Sequence, residues 1–211
     1  SDGKSFIRTS EKDGFKHIYH HQVDGTLIRQ VTTGPWEVSS LVGLDEKGKK
    51  LYYLSTEKSP LERHLYIIQL DGKGKKSLSP LAGTYSINMS PDHQFFIAYH
   101  TSAASPVTVT LNEASGKTLK VLEDNQALKD RMVTFALGKK EFFTFPTVDG
   151  TTLNGYLIKP ADFDPNKKYP VLMYVYGGPG SQNVLNSWGG SRDFWHQHLA
   201  AEGYLVASID N

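Results

Sequence analysis

The sequence predicts two architectures in succession: blades of an all-β propeller over residues 1–130, and the beginning of an α/β domain over residues 131–211. In the first half, short β-rich runs recur at a regular interval. In the second half, an apolar run leads into a glycine-rich turn, a helical pattern and a second apolar run. Because the chain stops directly after that second run, we expect the α/β domain to be incomplete in this chain.

Composition excludes several classes of function. The net charge is +1, from 23 basic and 22 acidic side chains, and no basic stripe is present, which argues against nucleic acid or an anionic membrane as a partner. The absence of cysteine rules out disulfides, thiolate catalysis and cysteine zinc sites. We find no transmembrane run or signal peptide, and because the first residue is not methionine we expect an internal fragment.

The propeller prediction depends on a repeat in the first half. The pattern H-[IL]-Y, then Q, then D-G begins at His17 and recurs in full at His64, where every position is displaced by 47 residues (64 minus 17). A weaker third copy occupies residues 95–102. Short strands repeated every 40 to 50 residues, roughly, are typical of propeller blades, which must stack on neighbours to bury their faces. Three copies are too few to close a propeller, so we expect further blades upstream.

The second half begins with weaker signals and ends with stronger ones. Residues 126–132 are a short helical candidate, and residues 139–145 and 151–158 are two strands joined at Asp149-Gly150, a strong hairpin signal. Residues 171–176 form an unbroken apolar and aromatic run, which predicts a central strand of a parallel sheet buried on both faces. The glycine-rich turn at 177–180 permits close backbone approach to a ligand, although it could equally be a tight surface turn.

A helix and a further strand are predicted after this turn. Ser191 is a candidate N-cap, Asp193 suits the first helical turn, and Gly203 stands where the residue after the helix belongs. Residues 204–209 then predict a strand that pairs with the strand at Val171. Hairpin, strand, glycine-rich turn, helix and strand is the order in which an α/β-hydrolase domain begins.

Candidate catalytic residues are few. No G-x-S-x-G motif exists in the chain, and neither Ser181 nor Ser191 has the strand and closing glycine that a nucleophile elbow needs. Tyr176 ends the apolar run beside Gly177, where its phenol could donate to a developing oxyanion, or could simply be a core aromatic. The histidine pairs do not suit a metal site, and we predict no cofactor.

Several segments resemble the prolyl oligopeptidase superfamily of serine peptidases, and within it the dipeptidyl peptidase IV family. Residues 168–182 (K-Y-P-V-L-M-Y-V-Y-G-G-P-G-S-Q) are similar to a family segment in which the tyrosine before the glycine supplies the oxyanion-hole hydroxyl. Residues 34–38, 121–128 and 206–211 are similar to further family segments. The likeness spans nearly the whole chain.

The resemblance implies a serine exopeptidase that releases N-terminal dipeptides, preferably with proline second, through an acyl-enzyme. Tyr176 would serve in the oxyanion hole, while the nucleophilic serine and its aspartate and histidine partners would follow Asn211. The glutamates that bind the substrate's amino group would precede Ser1, so we expect this chain alone to be inactive. The resemblance further implies short peptide substrates, a homodimeric full-length parent, and the cell envelope or periplasm of a bacterium.

Two alternatives remain open at this point. The parent could be a non-catalytic homologue whose propeller binds proteins, or a related peptidase that releases tripeptides or acylated residues. The presence of G-x-S-x-G downstream would separate the first alternative from an active enzyme. The upstream glutamate pair would separate dipeptide release from the second.

Overall fold

The computed structural model describes residues 3–135, 137–178 and 180–210. It divides into two compact units, one formed by Ser1–Thr101 and Val107–Asp124, the other by Ser102–Pro106 and Asn125–Asn211. The predicted domain boundary at residue 130 stays a prediction. No helix in the described part of the chain is long and apolar enough to cross a membrane.

Three sheets of antiparallel hairpins follow one another along residues 5–123, which confirms the predicted blades. The first has the order β1-β2-β3, the second β4-β5-β6-β7 and the third β11-β10-β9-β8. Their strands are β1 Ser5–Ser10, β2 His17–Gln22, β3 Leu27–Gln30, β4 Val38–Asp45, β5 Lys50–Ser55, β6 His64–Gln69, β7 Lys76–Ser77, β8 Thr84–Met89, β9 Phe95–Ser102, β10 Ser105–Glu113 and β11 Thr118–Glu123.

The second sheet is buried on both faces, as a blade between two others must be. Alternate residues of a strand point to opposite faces, and β5 shows the consequence directly. Leu51 and Tyr53 belong to one buried cluster with residues of the first sheet, while Tyr52 and Leu54 belong to another with residues of the third. The apolar run of β5 is therefore explained by burial on both sides.

The histidine of the repeat makes a similar contact in its two full copies. The His17 ring nitrogen Nδ1 lies 3.1 Å from the Thr32 hydroxyl, and the same hydroxyl accepts the Ile18 backbone N–H. In the next blade, His64 Nδ1 lies 3.1 Å from the Ser79 hydroxyl, which accepts the N–H of the following residue. We call these two pairs the histidine–hydroxyl clasps. They join the strand that contains the histidine, β2 or β6, to the segment that follows the next strand, β3 or β7.

The second unit contains a mixed four-stranded sheet of order β12-β13-β15-β14. The strands β12 and β13 form the predicted hairpin, and β14 pairs in parallel with β15, with Val171 opposite Leu205, which confirms the predicted pairing. The elements are α1 Gln126–Val133, β12 Lys140–Pro146, β13 Thr152–Ile158, β14 Val171–Tyr174, α2 Ser191–Ala201 and β15 Leu205–Ile209. Gly203 has φ 89°, as the residue after a helix often requires.

Two details of this half were predicted wrongly. The strand expected over residues 171–176 spans only Val171–Tyr174. Its pairing with β15 ends at the same point, where Tyr174 lies opposite Ser208. Ser191 is the first residue of α2 and Gly190 is the N-cap, with no side-chain cap hydrogen bond.

Candidate active site

Tyr176 lies just beyond the carboxyl end of β14, at the edge of the sheet where open α/β sheets bind ligands. Its side chain is 56% exposed in this chain. No residue in the described part of the chain hydrogen-bonds its hydroxyl. The phenol is therefore an available donor at the strand end.

The glycine-rich turn packs against this tyrosine. Gly177 has φ 74°, a conformation that glycine adopts without strain and that turns the chain away from the strand direction. A Cβ placed on Gly178 would lie 3.3 Å from the Tyr176 ring, and one on Gly180 would lie 3.4 Å from its hydroxyl oxygen. Because glycine has no side chain, the backbone at these two positions can run close to the face of the tyrosine ring. Pro179 of the motif lies outside the described residues.

Asp210 holds the segment that leaves the turn. Its carboxylate oxygen Oδ1 accepts the backbone N–H groups of Asn183 at 2.7 Å and Val184 at 3.0 Å, and Oδ2 lies 3.1 Å from the Val184 nitrogen. Its own N–H donates to the Asn154 carbonyl at 3.0 Å. The side chain of Val184 is fully buried. Asp210 thus joins the end of β15 to both the adjacent hairpin and the loop after the turn.

Tyr174, the last residue of β14, is fixed by two polar contacts. Its carbonyl accepts the Ser208 hydroxyl at 2.7 Å, which adds a side-chain bond to the parallel strand pair. Its own hydroxyl accepts an Arg192 N–H at 2.9 Å. The strand end that precedes Tyr176 is therefore held to both β15 and α2.

A buried polar cluster lies where α2 meets the hairpin. Lys140 and Asp193 form an ion pair of 3.0 Å, and the Asp193 carboxylate also accepts the Gly189 N–H at 2.8 Å. Burial lowers the pKa of His196, against an opposing effect of Asp193. Burial also raises the pKa of Tyr156 to about 12. These groups are buried, and the ion pair joins α2 to the hairpin.

The other sequence candidates do not assemble into a site. Ser181 is exposed and Ser191 begins a helix, and neither hydroxyl is hydrogen-bonded to a histidine among the described residues. Within those residues, no group of three or more His, Asp or Glu side chains could hold a metal ion. Sequence reasoning left Asp210 without a role; its one signal was an acidic residue directly after a buried strand.

Comparison with known proteins decides the family. The family model described as "Dipeptidyl peptidase IV (DPP IV) N-terminal region" matches residues 1–107, half of the chain. The chain belongs to the dipeptidyl peptidase IV family. This match covers the first two sheets and part of the third, and other similarities extend over the rest of the chain.

Two curated members of the dipeptidyl peptidase IV family are similar over nearly the whole chain. A protein of Arthroderma benhamiae named "Probable dipeptidyl peptidase 4" is 34% identical, with 100% of this chain and 28% of the relative covered. An Aspergillus terreus protein named "Probable dipeptidyl-aminopeptidase B" is 31% identical, with 97% of this chain and 23% of the relative covered. The chain thus spans about a quarter of the length of these relatives.

A solved structure shows the same fold. The crystal structure of Porphyromonas gingivalis dipeptidyl peptidase 4 matches with a TM-score of 0.92 and 39% sequence identity, and the match covers 100% of this chain and 29% of that one. The predicted order of propeller blades followed by an α/β portion is thereby confirmed.

Proposed function

We propose that this chain is part of a serine exopeptidase that releases dipeptides with proline in the second position from peptide N-termini, through an acyl-enzyme. Membership of the dipeptidyl peptidase IV family and the names of its relatives support a dipeptidyl peptidase. The nucleophile, its base and the groups that bind the substrate's amino terminus would come from other parts of the full-length protein. The described unit would supply one wall of the site.

The observation that carries the proposal is the Tyr176 hydroxyl, exposed and without a partner in the described residues, at the carboxyl edge of a parallel strand pair. When a serine attacks a peptide carbonyl, negative charge develops on the carbonyl oxygen. A donor already in place stabilises that charge without the cost of breaking another hydrogen bond first. Tyr176 would be this donor, and a backbone N–H beside the nucleophile would be the second.

The rigidity of the surroundings supports this role. Electrostatic stabilisation requires a donor whose position does not change as the charge develops. The Tyr174 backbone is bonded to Ser208, and the glycine-rich turn packs against the Tyr176 ring. The ring is therefore restrained from both the strand and the turn, while its hydroxyl stays open to a substrate.

The test is Tyr176→Phe in the full-length enzyme, assayed on a Gly-Pro anilide. The phenylalanine ring preserves the packing against the turn and removes only the donor. A fall in kcat with little change in KM would support the proposal, since the lost interaction forms only in the transition state. A kcat within about threefold of wild type would remove Tyr176 from the mechanism.

A further inference from the structure

The carboxylate of Asp210 and the phenol of Tyr176 occupy matching positions on neighbouring strands. Tyr174 lies opposite Ser208 in the parallel pair, and each of the two residues stands two positions beyond that pair. Both therefore reach the same edge of the sheet. The chain leaves β14 after Tyr174, passes Tyr176, and at Asn183 and Val184 is bonded to the carboxylate of Asp210.

Asp210 is itself rigidly placed. Its backbone N–H is bonded to the Asn154 carbonyl on the hairpin, and β15 pairs on both sides, with β13 and with β14. Its carboxylate accepts two successive backbone N–H groups, from Asn183 and Val184. Hydrogen bonds to an ionised acceptor are stronger than those between neutral groups. The returning end of the loop is therefore fixed to a strand that is paired on both sides.

This attachment determines where the turn can lie. Between its two fixed ends the loop brings Gly180 so close to the tyrosine that a Cβ there would be 3.4 Å from the Tyr176 hydroxyl oxygen. If the returning end moved, Gly180 would move with it and the ring would lose the surface it rests on.

We propose that Asp210 is a positioning residue for Tyr176: by holding the backbone at Asn183 and Val184, it keeps the turn against the phenol and thereby keeps the hydroxyl aimed at the oxyanion. This inference rests on the proposed function of Tyr176. It assigns no contact between Asp210 and the substrate. The effect of Asp210 on the reaction must then pass through the tyrosine.

The experiment is a double-mutant cycle in the full-length enzyme, with wild type, Asp210→Asn, Tyr176→Phe and the double variant assayed on a Gly-Pro anilide. Asparagine keeps the size of the side chain but removes the charge and places an NH₂ group against one backbone N–H. We expect Asp210→Asn to lower kcat about tenfold or more while KM changes little, because a small misplacement of a catalytic group is costly. In the Tyr176→Phe background the same substitution should change kcat by less than about twofold.

Each outcome decides one question. Equal losses from Asp210→Asn in both backgrounds, or no loss in either, would overturn the positioning role while leaving Tyr176 as the donor. An unaffected Tyr176→Phe would overturn the proposed function itself.

Asp164→Asn is the matched control. Asp164 also accepts a backbone N–H, from Asn166 at 2.9 Å, but it lies in an exposed loop, so this variant should keep the kcat of the wild type. If Asp210→Asn does not fold, Asp210→Glu, which keeps the charge but shifts it, enters the same cycle and decides by the same comparison.

Discussion

The Asp193 carboxylate binds the Lys140 ammonium at 3.0 Å, with both side chains about nine-tenths shielded from solvent. The pair joins helix α2 to the first strand of the hairpin. A buried ion pair is weak proof of net stabilisation, but removal of one partner leaves the other charge buried and uncompensated.

We therefore expect Asp193→Asn to destabilise the chain by about 3–5 kcal/mol, because Lys140 keeps its charge and loses its counter-ion. The free energy of unfolding from urea titration measures this. The matched control is Glu141→Gln, which breaks the pair with Lys159 at 2.6 Å, where the glutamate is 52% exposed. That exposed pair should contribute only about 0–1 kcal/mol. Similar losses in the two variants would contradict the assignment of a buried cluster.

The pH dependence of stability should carry a contribution from His196. Burial lowers the pKa of this ring below its ordinary value of 6.5, and the charges of Arg192 and Lys140 act in the same direction. As the pH drops below about 6.5, His196 binds a proton more readily in the unfolded chain than in the folded chain. The free energy of unfolding should therefore fall over this range. His196→Gln removes this group, and its unfolding free energy should fall less steeply than that of wild type between about pH 7 and 5. Parallel curves for the two proteins would show that folding does not change the pKa of this ring.

Loss of the Tyr176 hydroxyl should cost about 2.7–4 kcal/mol of transition-state stabilisation, or roughly a hundred- to a thousandfold in kcat. Tyr204→Phe is the matched control. Tyr204 directly precedes β15 and therefore lies at the opposite edge of the parallel pair. Steady-state kinetics should show full activity for this variant, and thermal melts should show that both variants fold as the wild type does.

The 211-residue chain alone should hydrolyse no Xaa-Pro substrate, since one oxyanion donor cannot replace a nucleophile and its base. The measurement is release of a chromogenic anilide by purified chain, with intact peptidase excluded by mass spectrometry. Turnover under these conditions would show that the chain holds a nucleophile that its sequence motifs do not reveal.

Local sequence patterns predicted most of the fold. The repeat at His17 and His64 predicted the position of the blades. Each blade packs against its neighbours, so the same pattern of side chains recurs in each copy of the repeat. Asp149-Gly150 located the hairpin, and Gly203 the end of the helix. What these signals share is that a few adjacent residues determine the backbone conformation.

The errors concern features that depend on distant residues. The strand predicted over residues 171–176 ends at Tyr174, whose register partner Ser208 lies 34 residues further along the chain. The residues bonded to the Asp210 carboxylate, Asn183 and Val184, lie 27 and 26 residues before it in the sequence. The ion-pair partner of Lys140 lies 53 residues after it. No spacing rule predicts such pairs. The position of Tyr176 was predicted because a strand followed by glycines defines it locally, whereas the residue proposed to position it could be found only in the structure.

In the first of the histidine–hydroxyl clasps, the contacts of the ring determine which group donates the hydrogen bond and which accepts it. The Gly34 carbonyl, 3.0 Å from His17 Nε2, can only accept, so a neutral ring must carry its proton on Nε2 and leave Nδ1 as an acceptor. The Thr32 hydroxyl accepts the Ile18 N–H and must therefore point its hydrogen at the ring. In the next blade the Glu62 carboxylate replaces the carbonyl, 2.7 Å from His64 Nε2, while Nδ1 lies 3.1 Å from the Ser79 hydroxyl and 3.3 Å from the Ser79 carbonyl. In the first blade, alanine in place of Thr32 would leave both a ring nitrogen and a backbone N–H unsatisfied.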